Sequence, residues 1–157
     1  MKKSGLTQHD GKALLIGIGN EWRGDDGVGI LAARMIREAM IEGLTVIEQS
    51  GDGAQLMEAW QGAGKVIIID AMQSGAAPGA FRLMNAGQSP LPANILKGSS
   101  HTFGLVEAIE LSRALGTLPR ELFVYGIEGK QFEIGSALSA EAVKAAETLV
   151  AEFQKNV

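Results

Sequence analysis

Three side chains that can bind a metal or move a proton stand where predicted β-strands give way to loops or helices. Asp26 follows the first strand, Asp70 ends the third, and His101 comes just before a helix. In an open α/β sheet, ligands bind outside the carboxyl ends of the strands, so residues distant in sequence can meet there. Two carboxylates and an imidazole suit a divalent transition metal, and nickel and zinc fit best. We therefore predict one site.

The elements that would position this site alternate along the chain. Apolar runs predict strands at 13–18, 44–48, 66–69, 80–84 and 121–127, the fourth of them at a sheet edge. Helical spacing predicts helices at 28–40, 54–60 and 104–116, and a last helix capped by Ser139. This pattern predicts an α/β three-layer sandwich, with a mostly parallel, twisted five-stranded sheet and helices on both faces. We expect a flexible tail over residues 1–11 and a single domain over 12–157.

The composition of the chain excludes several kinds of catalytic group and several classes of partner. The 157 residues include no cysteine, which excludes a thiol nucleophile and cysteine-based zinc sites and favours the cytoplasm. The net charge is −4 and no Lys/Arg cluster follows Lys2 and Lys3, so nucleic acid is not the expected partner. Neither a secretory pattern nor an apolar run of membrane-spanning length is present in the sequence, so we expect a soluble protein without a membrane partner.

A dinucleotide-binding loop is the first alternative. Gly17 and Gly19 lie between a strand and a helix, and Glu48 ends the second strand as a ribose ligand would. The third glycine of that motif would fall at Trp22, however, and the adjacent acids Asp25 and Asp26 would repel a pyrophosphate. The sequence therefore disfavours this interpretation.

Each candidate also has a structural interpretation. Asp25 or Asp26 could cap the helix that follows, and we assign Asp26 as the ligand and Asp25 as its support. Asp70 could be a turn residue, but a carboxylate that follows four aliphatic residues requires a cation or a donor. His101 could be hydrogen-bonded at a helix start, although it is the sole histidine besides His9 in the expected tail.

Three segments resemble the hydrogenase maturation endopeptidases. Residues 17–29 (GIGNEWRGDDGVG) are similar to the amino-terminal signature of that family. Residues 66–71 (VIIIDA) and 100–105 (SHTFGL) resemble its second metal-ligand strand and its histidine segment, in the same order. Some members carry Glu where this chain has Asp26. The resemblance extends from about Ala13 to the last helix.

This resemblance implies a protease that trims the carboxy-terminal extension of a nickel-iron hydrogenase large-subunit precursor after nickel insertion. Asp26, Asp70 and His101 fall on the three metal-ligand positions, and the nickel would be carried by the precursor. Water is the expected nucleophile, activated either by a metal or by a carboxylate base. A chaperone that binds nickel or a metallated subunit without cutting stays open as the alternative.

Four further residues are predicted to contact the substrate. Asn20 and Trp22 lie in the first loop. Asp52 lies in the GDG turn at 51–53, where relatives often have Gly-Gly-Thr, and Lys130 follows the last strand in a segment that resembles one near the family's cleft.

Overall fold

The computed structural model describes residues 12–92, 94–96 and 101–155. Within them the chain forms five strands, four α-helices and one 3₁₀ turn. In chain order these are β1 (Ala13–Ile18), the 3₁₀ turn (Gly24–Gly27), α1 (Val28–Glu38), β2 (Leu44–Gln49), α2 (Gly53–Ala59), β3 (Lys65–Met72), β4 (Phe81–Asn85), α3 (Leu105–Leu115), β5 (Glu121–Glu128) and α4 (Ala140–Lys155). No helix among these residues is long and apolar enough to cross a membrane.

The strands form one sheet in the order β2-β1-β3-β5-β4. All neighbours are parallel except β4, which runs antiparallel to β5 at the edge. Helices α2 and α3 cover one face of the sheet, where Leu56 and Ile109 pack with Ile68. Helices α1 and α4 cover the other face, where Ile36 and Leu149 belong to the same apolar cluster as strand residues of β1 and β3. The predicted α/β three-layer architecture is therefore confirmed.

Two predicted element boundaries are wrong by two residues or more. Strand β3 continues to Met72, because it pairs with β5 along its whole length, and Asp70 therefore lies inside the strand opposite Gly126. Helix α1 ends at Glu38, before the predicted end at Met40, because Met40 has a positive φ of 53° that a helix does not allow. The tail predicted over residues 1–11 lies outside the described residues.

Close packing of α1 on the sheet explains the first and the last glycines of the segment 17–29. A Cβ atom at Gly29 would collide with the carbonyl oxygens of Ile18 and Ile69, and one at Gly17 would collide with the carbonyl of Gly29. These glycines let the helix backbone lie directly against β1 and β3. The residues that precede α1, including Asp26, are thereby brought close to the end of β3.

Candidate active site

Asp26 lies on the 3₁₀ turn that leads into α1. Its side chain is mostly buried, and its Oδ2 accepts a hydrogen bond from the Asn20 amide at 3.2 Å and lies 3.8 Å from Nη1 of Arg23. Burial raises the pKa of this carboxyl, while Arg23 and the Asn20 amide lower it by smaller amounts. The guanidinium and the amide therefore favour the ionised carboxylate, but burial outweighs them and disfavours ionisation.

Asp70 lies on β3, the strand that pairs with β1, and is also buried. Its Oδ1 accepts a hydrogen bond from the Ala71 amide at 2.8 Å. Burial raises the pKa of Asp70 well above its ordinary value, and the negative charge of Asp26 raises it further. The turn that carries Asp26 contacts β3, so the two carboxyls, 44 positions apart in sequence, lie at the same end of the sheet.

His101 borders two cavities, each of which is also lined by one of the two acids. One cavity, of about 460 Å³, is lined by His101 and Asp26, and the other, of about 170 Å³, by His101 and Asp70. The imidazole Nε2 lies 3.2 Å from the hydroxyl oxygen of Ser50, the residue after β2. Sequence reasoning missed Ser50, although its place directly after a strand could have indicated it.

The structure thus brings the three predicted residues to one region without forming a ready metal site. Within 12–92, 94–96 and 101–155, no three His, Asp or Glu side chains are grouped closely enough to hold a metal ion. Asp26, Asp70 and His101 as metal ligands therefore stay a prediction. A rearrangement of the side chains, or ligands from a bound partner, would be needed to complete a coordination shell.

Asp25 has a different role from its neighbour. Its fully buried carboxylate accepts hydrogen bonds from the Ser139 amide and hydroxyl, each at 2.7 Å, and from the amides of Lys130 at 2.7 Å and Gln131 at 3.3 Å. It does not cap α1, as one interpretation of the sequence held. It ties the loop of residues 19–27 to the segment between β5 and α4, and this supports the structural role assigned to it.

The four predicted substrate contacts divide into two pairs. Asn20 and Trp22 line the larger cavity beside Asp26. Asp52 caps α2 by accepting a hydrogen bond from the Gln55 amide at 3.2 Å, and the Lys130 ammonium pairs with Glu141 at 3.0 Å. Neither Asp52 nor Lys130 lines the two cavities that hold the candidate residues. Substrate contact by any of the four stays a prediction.

Arg34 of α1 holds one wall of the larger cavity, and sequence reasoning did not single it out. Its guanidinium donates two hydrogen bonds of 3.0 Å to the carboxylate of Glu21, and two more, of 3.2 and 3.0 Å, to that of Glu48. Hydrogen bonds from Arg34 lower the pKa of Glu48. Both glutamates line the cavity, so Arg34 fixes the first loop to the end of β2.

Comparison with known proteins places this geometry in a family. The model of the family described as hydrogenase maturation protease matches residues 30–156. The chain belongs to the hydrogenase maturation protease family. The match includes Asp70 and His101 and begins four positions after Asp26. The predicted family is thereby confirmed, and the match covers the second and third of the three sequence segments.

Individual relatives agree with this assignment. The chain is 27% identical over 134 residues to the hydrogenase expression/formation protein HoxM of Azotobacter vinelandii, a match that covers 84% of this chain and 65% of that protein. It is 30% identical to the [NiFe] hydrogenase maturation protease HybD of Thermococcus kodakarensis, with a TM-score of 0.73 and coverage of 92% and 97%. The hydrogenase maturating endopeptidase HybD of Escherichia coli shares the fold at 20% identity, with a TM-score of 0.69 and coverage of 92% and 93%.

Proposed function

We propose that this member of the hydrogenase maturation protease family is an endopeptidase that removes the carboxy-terminal extension of a nickel-iron hydrogenase large-subunit precursor. It acts after nickel insertion and recognises the metal through Asp26, Asp70 and His101. The observation that carries the proposal is the pair of buried carboxyls, each with a raised pKa, beside an imidazole that borders both cavities. Family membership supplies the class of reaction.

The charge balance of the site supports recognition of a metallated precursor. Asp26 and Asp70 are buried together, and the negative charge of the first makes ionisation of the second harder. A divalent cation delivered by the precursor would offset both charges and favour the ionised carboxylates that bind metals. A precursor without nickel offers no such cation, so cleavage would depend on metal insertion.

The geometry also favours a metal that the substrate carries. The side chains of Asp26, Asp70 and His101 lie around one end of the sheet but do not form a ready group of three metal ligands. Ligands from the precursor would complete the shell of the nickel, so the free enzyme would hold the ion weakly.

The peptide bond would be attacked by water. The chain has no cysteine, and no serine stands in a Gly-x-Ser-x-Gly turn, so a covalent acyl-enzyme has no evident nucleophile. An ionised carboxylate, Asp26 or Asp70, would accept the proton of the attacking water. The nickel of the precursor would hold the protein in place and set the charge state of these two groups.

The test is a processing assay on purified precursor with and without nickel. We expect loss of a defined carboxy-terminal peptide, detected by mass spectrometry, only with the nickel-loaded precursor. His101→Ala should abolish this loss, while Thr102→Ala, at the exposed neighbouring position, should process normally. Normal processing by His101→Ala would refute the assigned site. A stable complex of the wild-type protein with intact metallated precursor would instead establish the chaperone alternative.

A further inference from the structure

Two apolar side chains project into solvent beside the candidate active site. Trp22 is 77% exposed and Ile134 is 83% exposed. They lie on two loops that meet through a hydrogen bond of 2.8 Å from the Gly135 amide to the Trp22 carbonyl. We refer to Trp22 and Ile134 as the apolar rim. Exposure of a single apolar residue is ordinary, but two on adjoining loops next to a functional cavity require an explanation.

The backbone of Trp22 is held on both sides. Its amide donates a hydrogen bond of 2.9 Å to Oδ1 of Asn20, and its carbonyl accepts the bond from Gly135. The preceding residue, Glu21, is held by two hydrogen bonds from Arg34. The indole is therefore presented from a fixed backbone, and little backbone entropy would be lost when a partner covers it.

Ile134 occupies the corner of a tight turn. The Ser136 amide and hydroxyl both donate hydrogen bonds to the Glu133 carbonyl, at 3.0 and 2.7 Å. Gly135 has a φ of +88°, which the third residue of a type II turn requires. Turn corners usually carry Pro, Asn, Asp, Ser or Gly, so a β-branched apolar residue here is exposed without benefit to the turn.

The rim is continuous with the site. Trp22 lines the same cavity as Asp26 and His101. The buried carboxylate of Asp25 ties the two loops together through its bonds to the Lys130 and Ser139 amides. A protein that brings a metal to Asp26 and His101 must therefore pass over or beside Trp22, and Ile134 lies on the loop that adjoins it.

We propose that the apolar rim is a docking surface for an apolar surface segment of the large-subunit precursor, next to its metal-bearing region. This inference rests on the function proposed above and adds a contact that does not involve the metal. Tryptophan is enriched among the few residues that dominate protein interfaces, and Ile134 would extend the apolar surface beside it. The rim would add affinity for the precursor to that supplied by the metal, while Asp26, Asp70 and His101 would act on the metal and the scissile bond.

The test measures binding and cleavage separately. Trp22→Ala and Ile134→Ala should each raise the dissociation constant of nickel-loaded precursor about tenfold, the change expected for loss of an interface anchor. We would measure it by calorimetry in the inactive His101→Ala background and compare each double variant with His101→Ala alone, so that the loss of the imidazole is common to both. In the active background both variants should raise KM with little change in kcat, because the interaction is not made with the reacting bond. Trp22→Phe should restore most of the affinity.

Met40→Ala and Leu115→Ala are matched controls, since Met40 is 84% exposed, Leu115 is 61% exposed, and neither lines the cavities of Asp26 and His101. Both should bind and process as the wild type does. If the wild type cleaves and both rim variants keep its affinity and KM, the docking role of the apolar rim is refuted and the proposed function is not. A wild-type protein that neither binds nor cleaves the loaded precursor would overturn the proposed function and the rim with it.

Discussion

Replacement of Asp25 should destabilise the protein far more than replacement of the adjacent Asp26. Asp25 is fully buried and accepts four hydrogen bonds, three of them on Oδ2 and one on Oδ1. Within the described part of the chain, Asp26 accepts a hydrogen bond from the Asn20 amide and lies near the Arg23 guanidinium, and its burial disfavours the charge that it carries. Two acids side by side in the sequence therefore contribute very differently to the free energy of unfolding.

The expected size follows from these contacts. Asp25→Ala removes the acceptor of three backbone amides, and each buried donor left unpaired costs roughly 1–3 kcal/mol. Since some relaxation and water entry will offset part of this, we expect a loss of about 3–5 kcal/mol, as for other broken buried networks. Asp25→Asn can keep its carbonyl oxygen at the Oδ2 position, so that only the Ser139 amide faces an NH₂ group. It should lose about 1–3 kcal/mol.

Urea unfolding followed by tryptophan fluorescence measures these differences, with Trp60 in the core as the main reporter. Asp26→Asn is the matched control. We expect its free energy of unfolding to lie within about 1 kcal/mol of the wild type, because the amide oxygen of Asn can accept the hydrogen bond from Asn20 and burial already disfavours the charge of Asp26. A loss of less than about 1 kcal/mol in Asp25→Ala would refute the argument, since it would mean that the buried amides find other partners.

Two further predictions concern stability. Because burial and Asp26 raise the pKa of Asp70, the folded state holds this proton more tightly than the unfolded state, so its contribution to stability is complete at acid pH and is lost as the pH rises through the raised pKa. Asp70→Asn should therefore gain in stability relative to the wild type as the pH rises, although it should lose processing activity. Thermal melts from pH 4 to 9 measure the difference in melting temperature between the two proteins. A difference that does not grow with pH would contradict this prediction. Gly29→Ala should lower stability by about 1–3 kcal/mol, because its Cβ would collide with the Ile18 and Ile69 carbonyls. Gly43→Ala at an open position tests only the cost of its left-handed φ, and an equal loss in the two variants would contradict the packing argument.

The sheet and its helices could be predicted because their patterns are local. The β-branched run at 66–69 is too apolar for a solvated strand, and the spacing of apolar residues in α4 matches the face that it buries. The end of β3 could not be placed, because β5 extends it through pairing of Asp70 and its successors with residues more than 50 positions away. Strand pairing thus decided a boundary on which composition gave no information.

The candidate site shows the same division. Residue type and strand ends were sufficient to predict that Asp26, Asp70 and His101 lie in one region, because parallel strands bring their carboxyl ends to one edge. The contacts that support them were not predictable. From the sequence, Arg34 is an ordinary residue on a helix surface. The fold shows that it donates hydrogen bonds to both Glu21 and Glu48. The same holds for Ser50, whose contact with His101 joins positions 51 residues apart.

The opposite environments of Asp25 and Asp70 show that one buried carboxyl of this region stabilises the fold and the other does not. Where the protein needs a carboxylate for its fold, it surrounds Asp25 with four donors. Asp70 accepts a hydrogen bond from the adjacent Ala71 amide, the one backbone donor to it among the residues that the structure describes, and a second negative charge lies nearby. That arrangement lowers stability at neutral pH, and an amide side chain would avoid the cost. A variant at Asp70 that is more stable and inactive would show that the unfavourable carboxyl is kept for its chemistry.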